Sequence, residues 1–290
     1  VSGRATIVGV CGGFGRVFAS ILSRRGFAID GIDLATHAPA DLSLAGYRSL
    51  DCRKLDWRQH AAAEPGRVFL LCLPQEAVLA MLPALLPVLG ERTLAIDILS
   101  VKSAVAAEFA RIGSWGQYLS LHPMFGPTLE FAGRNVVSIP LRDGDRVDAF
   151  EQLLRDEGAR VVRMTADEHD RGTAVTQVMV HAALVALGLA MQPGSSDAQA
   201  RFDALATPPY RVLLAMVARL TSGDPSLYQH IQLDNPHAPV ARAKLADALR
   251  RVADACERTS DFDACFLDAA PADRESLATL ATTLVEAARG

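Results

Sequence analysis

The sequence predicts a doubly wound α/β sheet followed by an all-helical domain, and three observations carry that expectation. Short β-branched runs alternate with helical patterns through the first half, as in a parallel sheet covered by helices. A glycine-rich turn separates the first run from the first helix. After about residue 166 the strand pattern stops and helical periodicity takes over. Half the residues are hydrophobic and 21% are charged, the balance of a globular chain with a sizeable core. At 290 residues two domains are the natural expectation, because domains usually run to about 100–200 residues.

Taken in order, Ala5–Val10 reads as a strand and Gly15–Arg25 as a helix, followed by strands at Ala28–Asp33, Val68–Leu73 and Thr93–Ile98. These are nearly continuous apolar runs, which suit parallel strands buried on both faces. Pro74 ends the third of them. Asn135–Ile139 and Ala159–Met164 read as later strands, and Ala35–His60 as a connection. The second half offers helices at Asp167–Leu189, Tyr210–Thr221, Pro239–Thr259 and Asp273–Ala288, with a turn at Pro193–Ser196. The stretch Val175–Leu189 is more apolar than a lone surface helix needs, so it belongs to a helical core, a subunit interface or both. A homodimer is the expected assembly.

Lys+Arg 29 against Asp+Glu 33 gives a net charge of −4, which argues against nucleic acid or an acidic membrane surface as partner. No apolar run is expected to reach the roughly 18–20 residues that span a bilayer. Val1-Ser2-Gly3-Arg4 leads at once into a strand without a signal-peptide pattern. Five scattered cysteines without CxxC or zinc spacing read as free thiols in the cytoplasm, with no metal site.

The turn Gly9-Val10-Cys11-Gly12-Gly13-Phe14-Gly15 lies where a dinucleotide loop belongs, after strand one and opening helix one. Gly12 and Gly15 fit the second and third glycines of GxGxxG. Val10 occupies the first, with Gly9 one residue earlier. Asp33 ends the second strand 18 residues after Gly15, near the offset of the acid that binds ribose hydroxyls. A carboxylate there favours NAD over NADP, and Arg24 and Arg25 precede the strand rather than follow Asp33. Leu73 and Pro74, at the end of the next strand, are expected beside the cofactor. Residues 1–166 thus form the expected dinucleotide-binding domain and 167–290 a helical substrate and dimerisation domain.

Three further segments point to chemistry: Asp97-Ile98-Leu99-Ser100-Val101-Lys102 at a strand end, Leu121-His122-Pro123-Met124-Phe125-Gly126-Pro127 as a His followed by a turn, and Glu168-His169-Asp170 opening the long helix. Gln177 with His181, and Arg211 with Arg219, are four and eight residues apart and share helix faces. In order and in content these segments, with Tyr210-Arg211 through Ala218-Arg219, resemble the prephenate dehydrogenase family from about Ile7 onward.

The resemblance implies a Rossmann domain, a dimerising helical domain and NAD-dependent oxidative decarboxylation of a small cyclohexadienyl carboxylate. It gives His122 the hydrogen bond or proton of the C4 substituent, Ser100 the orientation of His122 or of that substituent, and Lys102 a point charge nearby. Arg219 and Arg211 would clamp carboxylate, with Gln177 and His181 in the pocket wall; His169 reads as structural. The segment Thr128-Leu129-Glu130-Phe131 would approach the ring, with Thr128 in contact and Glu130 able to accept from an amine. Prephenate and its 4-amino analogue, the latter in a specialised pathway, stand near parity. A β-hydroxyacid dehydrogenase, an imine reductase or a non-catalytic NAD sensor are the alternatives.

Overall fold

A computed structural model of the chain describes residues 3–62 and 67–287. Val1, Ser2 and the expected helix end at Ala288 lie outside them. The chain divides into two units, Val1–Asp170 and Arg171–Gly290.

The first unit is built on one eight-stranded sheet. Its strands are β1 (Arg4–Val8), β2 (Ala28–Asp33), β3 (Gly46–Ser49), β4 (Val68–Leu71), β5 (Leu94–Asp97), β6 (Gln117–Pro123), β7 (Asn135–Arg142) and β8 (Arg160–Arg163). They run in the order β3-β2-β1-β4-β5-β6-β7-β8. The first six are parallel. β7 pairs antiparallel to β6 and β8 parallel to β7, so the last two reverse the sheet's direction. Apolar residues of β1, β4 and β5 are buried on both faces. They separate two cores, one against α1 (Gly13–Arg24) and α5 (Asp145–Asp156), the other against α2 (Trp57–Ala62), α3 (Gln75–Leu85) and α4 (Ser103–Ile112).

Two strands depart from the sequence reading. β3 lies inside the stretch expected to be a mere connection, and it pairs with β2 from Asp30↔Gly46 to Asp33↔Ser49. β6 includes His122, expected in a loop. All seven β6 residues are buried, and His122 stands opposite Val137 on β7.

The helix α6 (Ala166–Thr173) opens on a reciprocal cap: Thr165 N donates to Glu168 Oε2 at 2.7 Å, and Glu168 N donates to Thr165 Oγ1 at 3.2 Å. A π-helical turn (Ala174–Met179) and α7 (Val180–Ala190) continue it. Together Ala166–Ala190 form one helix of 25 residues, long and apolar enough by length and composition to cross a membrane. The expectation that no apolar run reaches that length is therefore corrected: His181 is the sole titratable residue between Ala174 and Ala190, and the run is longer than the strand-sized segments around it.

Within the second unit, α8 (Ser196–Leu205), α9 (Pro208–Thr221), α10 (Pro225–Leu233), α11 (Ala238–Ala255), α12 (Thr259–Asp268) and α13 (Arg274–Ala287) complete the set. α8, α10 and α12 were not anticipated. Asp224 and Ser195 cap α10 and α8 with their side chains, short polar starts that carry little apolar periodicity. The π turn frees a carbonyl that Gln232 Nε2 satisfies, donating to Val178 O at 2.8 Å. α7 buries none of its residues in the single chain, and Leu189, Leu205, Val240, Leu249 and Phe266 are each at least 70% exposed.

Gly15 sets how closely α1 approaches β1, since a Cβ there would stand 2.0 Å from Gly9 O. A Gly15→Ala protein is expected to lose about 1–3 kcal/mol in urea denaturation, as an added carbon meets backbone rather than a movable side chain.

Candidate functional site

The loops that follow β1, β4, β5 and β6 all emerge at the carboxyl ends of parallel strands, where ligands bind in open α/β sheets. Gly9 makes the first turn. Its φ is +82°, a Cβ there would lie 2.1 Å from Cys72 O, and its N–H donates to Ile32 O at 2.8 Å. Val10 therefore needs no special backbone, and the glycine missing from its position is replaced by Gly9. Gly12 is the N-cap of α1, whose first turn carries no acid, so free backbone N–H groups are presented to an anion. Leu73 packs on this loop, its Cδ2 3.2 Å from the position of a Gly9 Cβ, and Pro74 caps α3.

Asp33 ends β2 and accepts from Cys11 N at 2.9 Å and Ala35 N at 3.1 Å. Each carboxylate oxygen keeps a second lone pair for a ribose hydroxyl. Arg16 in α1 pairs with Asp41 at 2.6 Å, and Arg24 and Arg25, which precede β2 at the end opposite Asp33, pair with Glu157. The arrangement fits an unphosphorylated ribose. Gly13 has a different reason for lacking a side chain, because a Cβ would meet Pro127 Cγ at 2.5 Å. Phe14 also meets Phe125 edge-on at 6.1 Å, so the glycine loop and the segment after His122 pack directly on each other.

Beneath them lies a charged network without solvent. Lys102 is fully buried, and its ammonium donates to Leu121 O at 2.6 Å, Ser120 Oγ at 2.9 Å and Asp97 Oδ1 at 3.3 Å. All three N–H groups are used, so Lys102 has none left for a substrate, and the expected point charge becomes a tie between β5 and β6. Burial pulls its pKa down while Asp97 opposes the shift. The Asp170 carboxylate covers the N-terminus of α4, accepting from the N–H groups of Lys102 at 3.0 Å and Ser103 at 2.8 Å and from Ser103 Oγ. Burial acts to raise the Asp170 pKa, but its bonds from His169, Ser103 and the backbone of Lys102 hold it below the usual range.

His122 is 5% exposed at the end of β6. Its Nδ1 lies 2.8 Å from His169 Nε2, and His169 Nδ1 lies 2.8 Å from Asp170 Oδ1. Burial, the Lys102 charge and His169 push the His122 pKa well down. Burial and Lys102 lower that of His169 too, against the opposing pull of Asp170. Ser100, expected to orient His122, is half-buried in the β5–α4 turn, while His169, read as structural, holds the His122 ring. The Glu-His-Asp order at a helix start was the one signal that could have placed it. Thr128 and Glu130 are exposed in the loop beyond Pro127.

In the helical unit, Gln177 lies in the π-helical turn and His181 in the first turn of α7. Gln177 Oε1 and His181 Nδ1 are both buried without a hydrogen-bond partner among the described residues. Buried polar atoms of this kind need a ligand, a water or a cost of about 1–3 kcal/mol each. His181 also meets Tyr228 edge-on at 5.0 Å, and burial lowers its pKa. Arg211 and Arg219 are exposed on α9. No group of three or more metal-ligating side chains occurs among the described residues.

Removing the buried ammonium tests its assignment. A Lys102→Met protein should lose about 3–5 kcal/mol in urea denaturation, because Asp97 is left buried without its counter-charge. An unchanged midpoint would return Lys102 to the substrate.

Comparison with known proteins agrees with this layout. Residues 24–163 match the nucleotide-binding domain of prephenate dehydrogenase, and residues 165–261 match its dimerization domain. The glycine loop lies before the first match and rests on its own geometry. The 4-amino-4-deoxyprephenate dehydrogenase of Streptomyces pristinaespiralis is 36% identical over 92% of this chain and 90% of its own length. The T-protein of Enterobacter agglomerans is 34% identical over 66% of this chain, which spans only 51% of it. Among solved structures, Synechocystis arogenate dehydrogenase superposes with a TM-score of 0.66 at 20% identity, covering 94% of this chain and 99% of its own. Aquifex aeolicus prephenate dehydrogenase, in complex with hydroxyphenyl propionate and NAD+, gives 0.68 at 20% identity, covering 90% and 92%. With both domains matched in order, the chain is a member of the prephenate dehydrogenase family.

Proposed function

We propose that this chain catalyses the NAD-dependent oxidative decarboxylation of 4-amino-4-deoxyprephenate to 4-aminophenylpyruvate. The observation that carries the chemistry is His122, nearly buried at the end of β6 with its Nδ1 held by His169 and its pKa pushed well down. The amino substrate is favoured by likeness to the Streptomyces pristinaespiralis enzyme, which extends over nearly all of both chains. Prephenate is the second reading, because the same histidine serves a hydroxyl equally well.

The Gly9–Gly15 turn, Asp33, Leu73 and Pro74 are assigned to the cofactor. Bound there, NAD supplies the acceptor for the hydride leaving C4. The C1 carboxylate departs as CO₂, and the electrons of its bond complete the aromatic ring. His122 accepts the hydrogen bond of the C4 substituent and leaves its lone pair free to push hydride out. Ser100 is assigned to the same substituent. A hydroxyl substrate releases no net proton in this reaction. An ammonium substrate must first lose one, since it has no lone pair to push with.

Arg219 and Arg211 are assigned to carboxylate, which the planar guanidinium fork matches, and Gln177 and His181 to polar contacts of the helical unit. Thr128 is assigned to the substrate ring. The exposed apolar side chains of α7, α8, α11 and α12 support a homodimer through the helical unit, and the five free thiols suit the cytoplasm.

The test follows reduced cofactor and CO₂ together on prephenate, arogenate and 4-amino-4-deoxyprephenate. The amino compound should give the highest kcat/KM, and a strong preference for prephenate would reverse the assignment. In a His122→Asn enzyme kcat should fall by about 10²–10⁴-fold while NAD binding survives.

The pH dependence separates the two substrates further. The His122 pKa lies below its unfolded value near 6.5, so the base stays neutral well into the acidic range. With prephenate, kcat/KM should stay flat through pH 6.5 and fall only below it. With the amino compound it should rise with pH until the substrate's own amine is deprotonated.

A further inference from the structure

We infer that His169 and Asp170 are positioning residues that fix the proton of His122 on Nδ1 and so keep its Nε2 a bare acceptor. The inference deepens the role proposed above for His122 and rests on bond directions that follow one from another.

Asp170 is ionised and can only accept, so His169 Nδ1 must donate to it across their 2.8 Å contact. His169 is held neutral by burial and by the Lys102 charge, so its Nε2 carries no proton and must accept. The 2.8 Å contact to His122 then requires His122 Nδ1 to be the donor. Neutral itself, His122 presents a lone pair at Nε2, the only ring atom left for a substrate.

The groups facing the pair from neighbouring elements agree with this assignment. Lys102, at the start of α4, opposes protonation of both rings. Asp97 on β5 is neutralised by Lys102, and Asp170 on α6 is occupied by the α4 N-terminus as well as by His169. Asp170 also anchors the relay. Its hold on the Lys102 and Ser103 N–H groups fixes the carboxylate that orients His169, so the catalytic ring is referred to the α4 backbone rather than to a mobile side chain.

The measurement is a two-bond ¹H–¹⁵N correlation spectrum of the wild-type protein without substrate, which reports the nitrogen carrying each ring proton. The chain has seven histidines, and a His122→Asn sample identifies the His122 signals by their loss. The expected result is a proton on Nδ1 of His122; a proton on Nε2 overturns the inference. Because no substrate is present, the spectrum decides this even if the substrate assignment is wrong.

Kinetics supply the second readout. In His169→Leu the acceptor is gone, and kcat should fall about 10²-fold while KM for NAD holds, with the His122 proton redistributed to Nε2. His169→Gln keeps an acceptor for His122 and a donor for Asp170, and should remain within about tenfold of wild type with the same pH profile. A folded His169→Leu enzyme with wild-type kcat and an unchanged His122 tautomer would overturn the inference as well.

Discussion

A charge with no exposure to water must be matched by its neighbours, and around Lys102 that requirement organises the carboxyl ends of β5 and β6. Its ammonium draws Asp97, Ser120 and the Leu121 carbonyl to one point, which sets the level at which β6 delivers His122. Its backbone N–H engages Asp170, so the same residue also fixes where α6 begins relative to α4. Remove the cation, and Asp97 keeps its bonds from Leu99 N and Ser120 Oγ but loses its buried counter-charge next to the strand that carries His122. The family's strand-end lysine is here a keystone of the sheet.

Most of the architecture was legible wherever burial and sequence pattern coincide. β1, β4 and β5 read correctly because both their faces are covered, leaving an apolar run with little polar interruption. β6 was missed for the opposite reason. Gln117, Ser120 and His122 are buried in it, and each is satisfied by a partner distant in sequence: Asp145, Asp97 and His169. Periodicity cannot register polar side chains whose burial depends on tertiary partners. β3 is a four-residue strand, only partly buried and containing Arg48, which gives no apolar pattern to follow.

The site shows the same division. Spacing singled out Gly12, Gly15 and Asp33 because a turn geometry constrains residue type locally, and the structure gathers them around the β1–α1 turn. Val10 looked like a defect in the motif, yet the positive φ had moved to Gly9, which only the backbone reveals. Lys102, expected beside the substrate, spends its ammonium on Asp97, Ser120 and Leu121, and His169, expected to be structural, contacts His122. A lysine at a strand end and a histidine between two acids carry no sign of their partners, and the structure buries both, Lys102 against Asp97 and His169 between His122 and Asp170.

The contact of Gly13 with Pro127, reinforced by Phe14 against Phe125, carries a consequence for building chimeras within the family. The glycine turn and the segment following His122 are more than a hundred residues apart, but they form a single moulded surface. Grafting one of them from a relative would import half of a lock-and-key joint. A recombination scheme that respects this chain must exchange the two segments as a pair, or accept a host loop displaced from its seat.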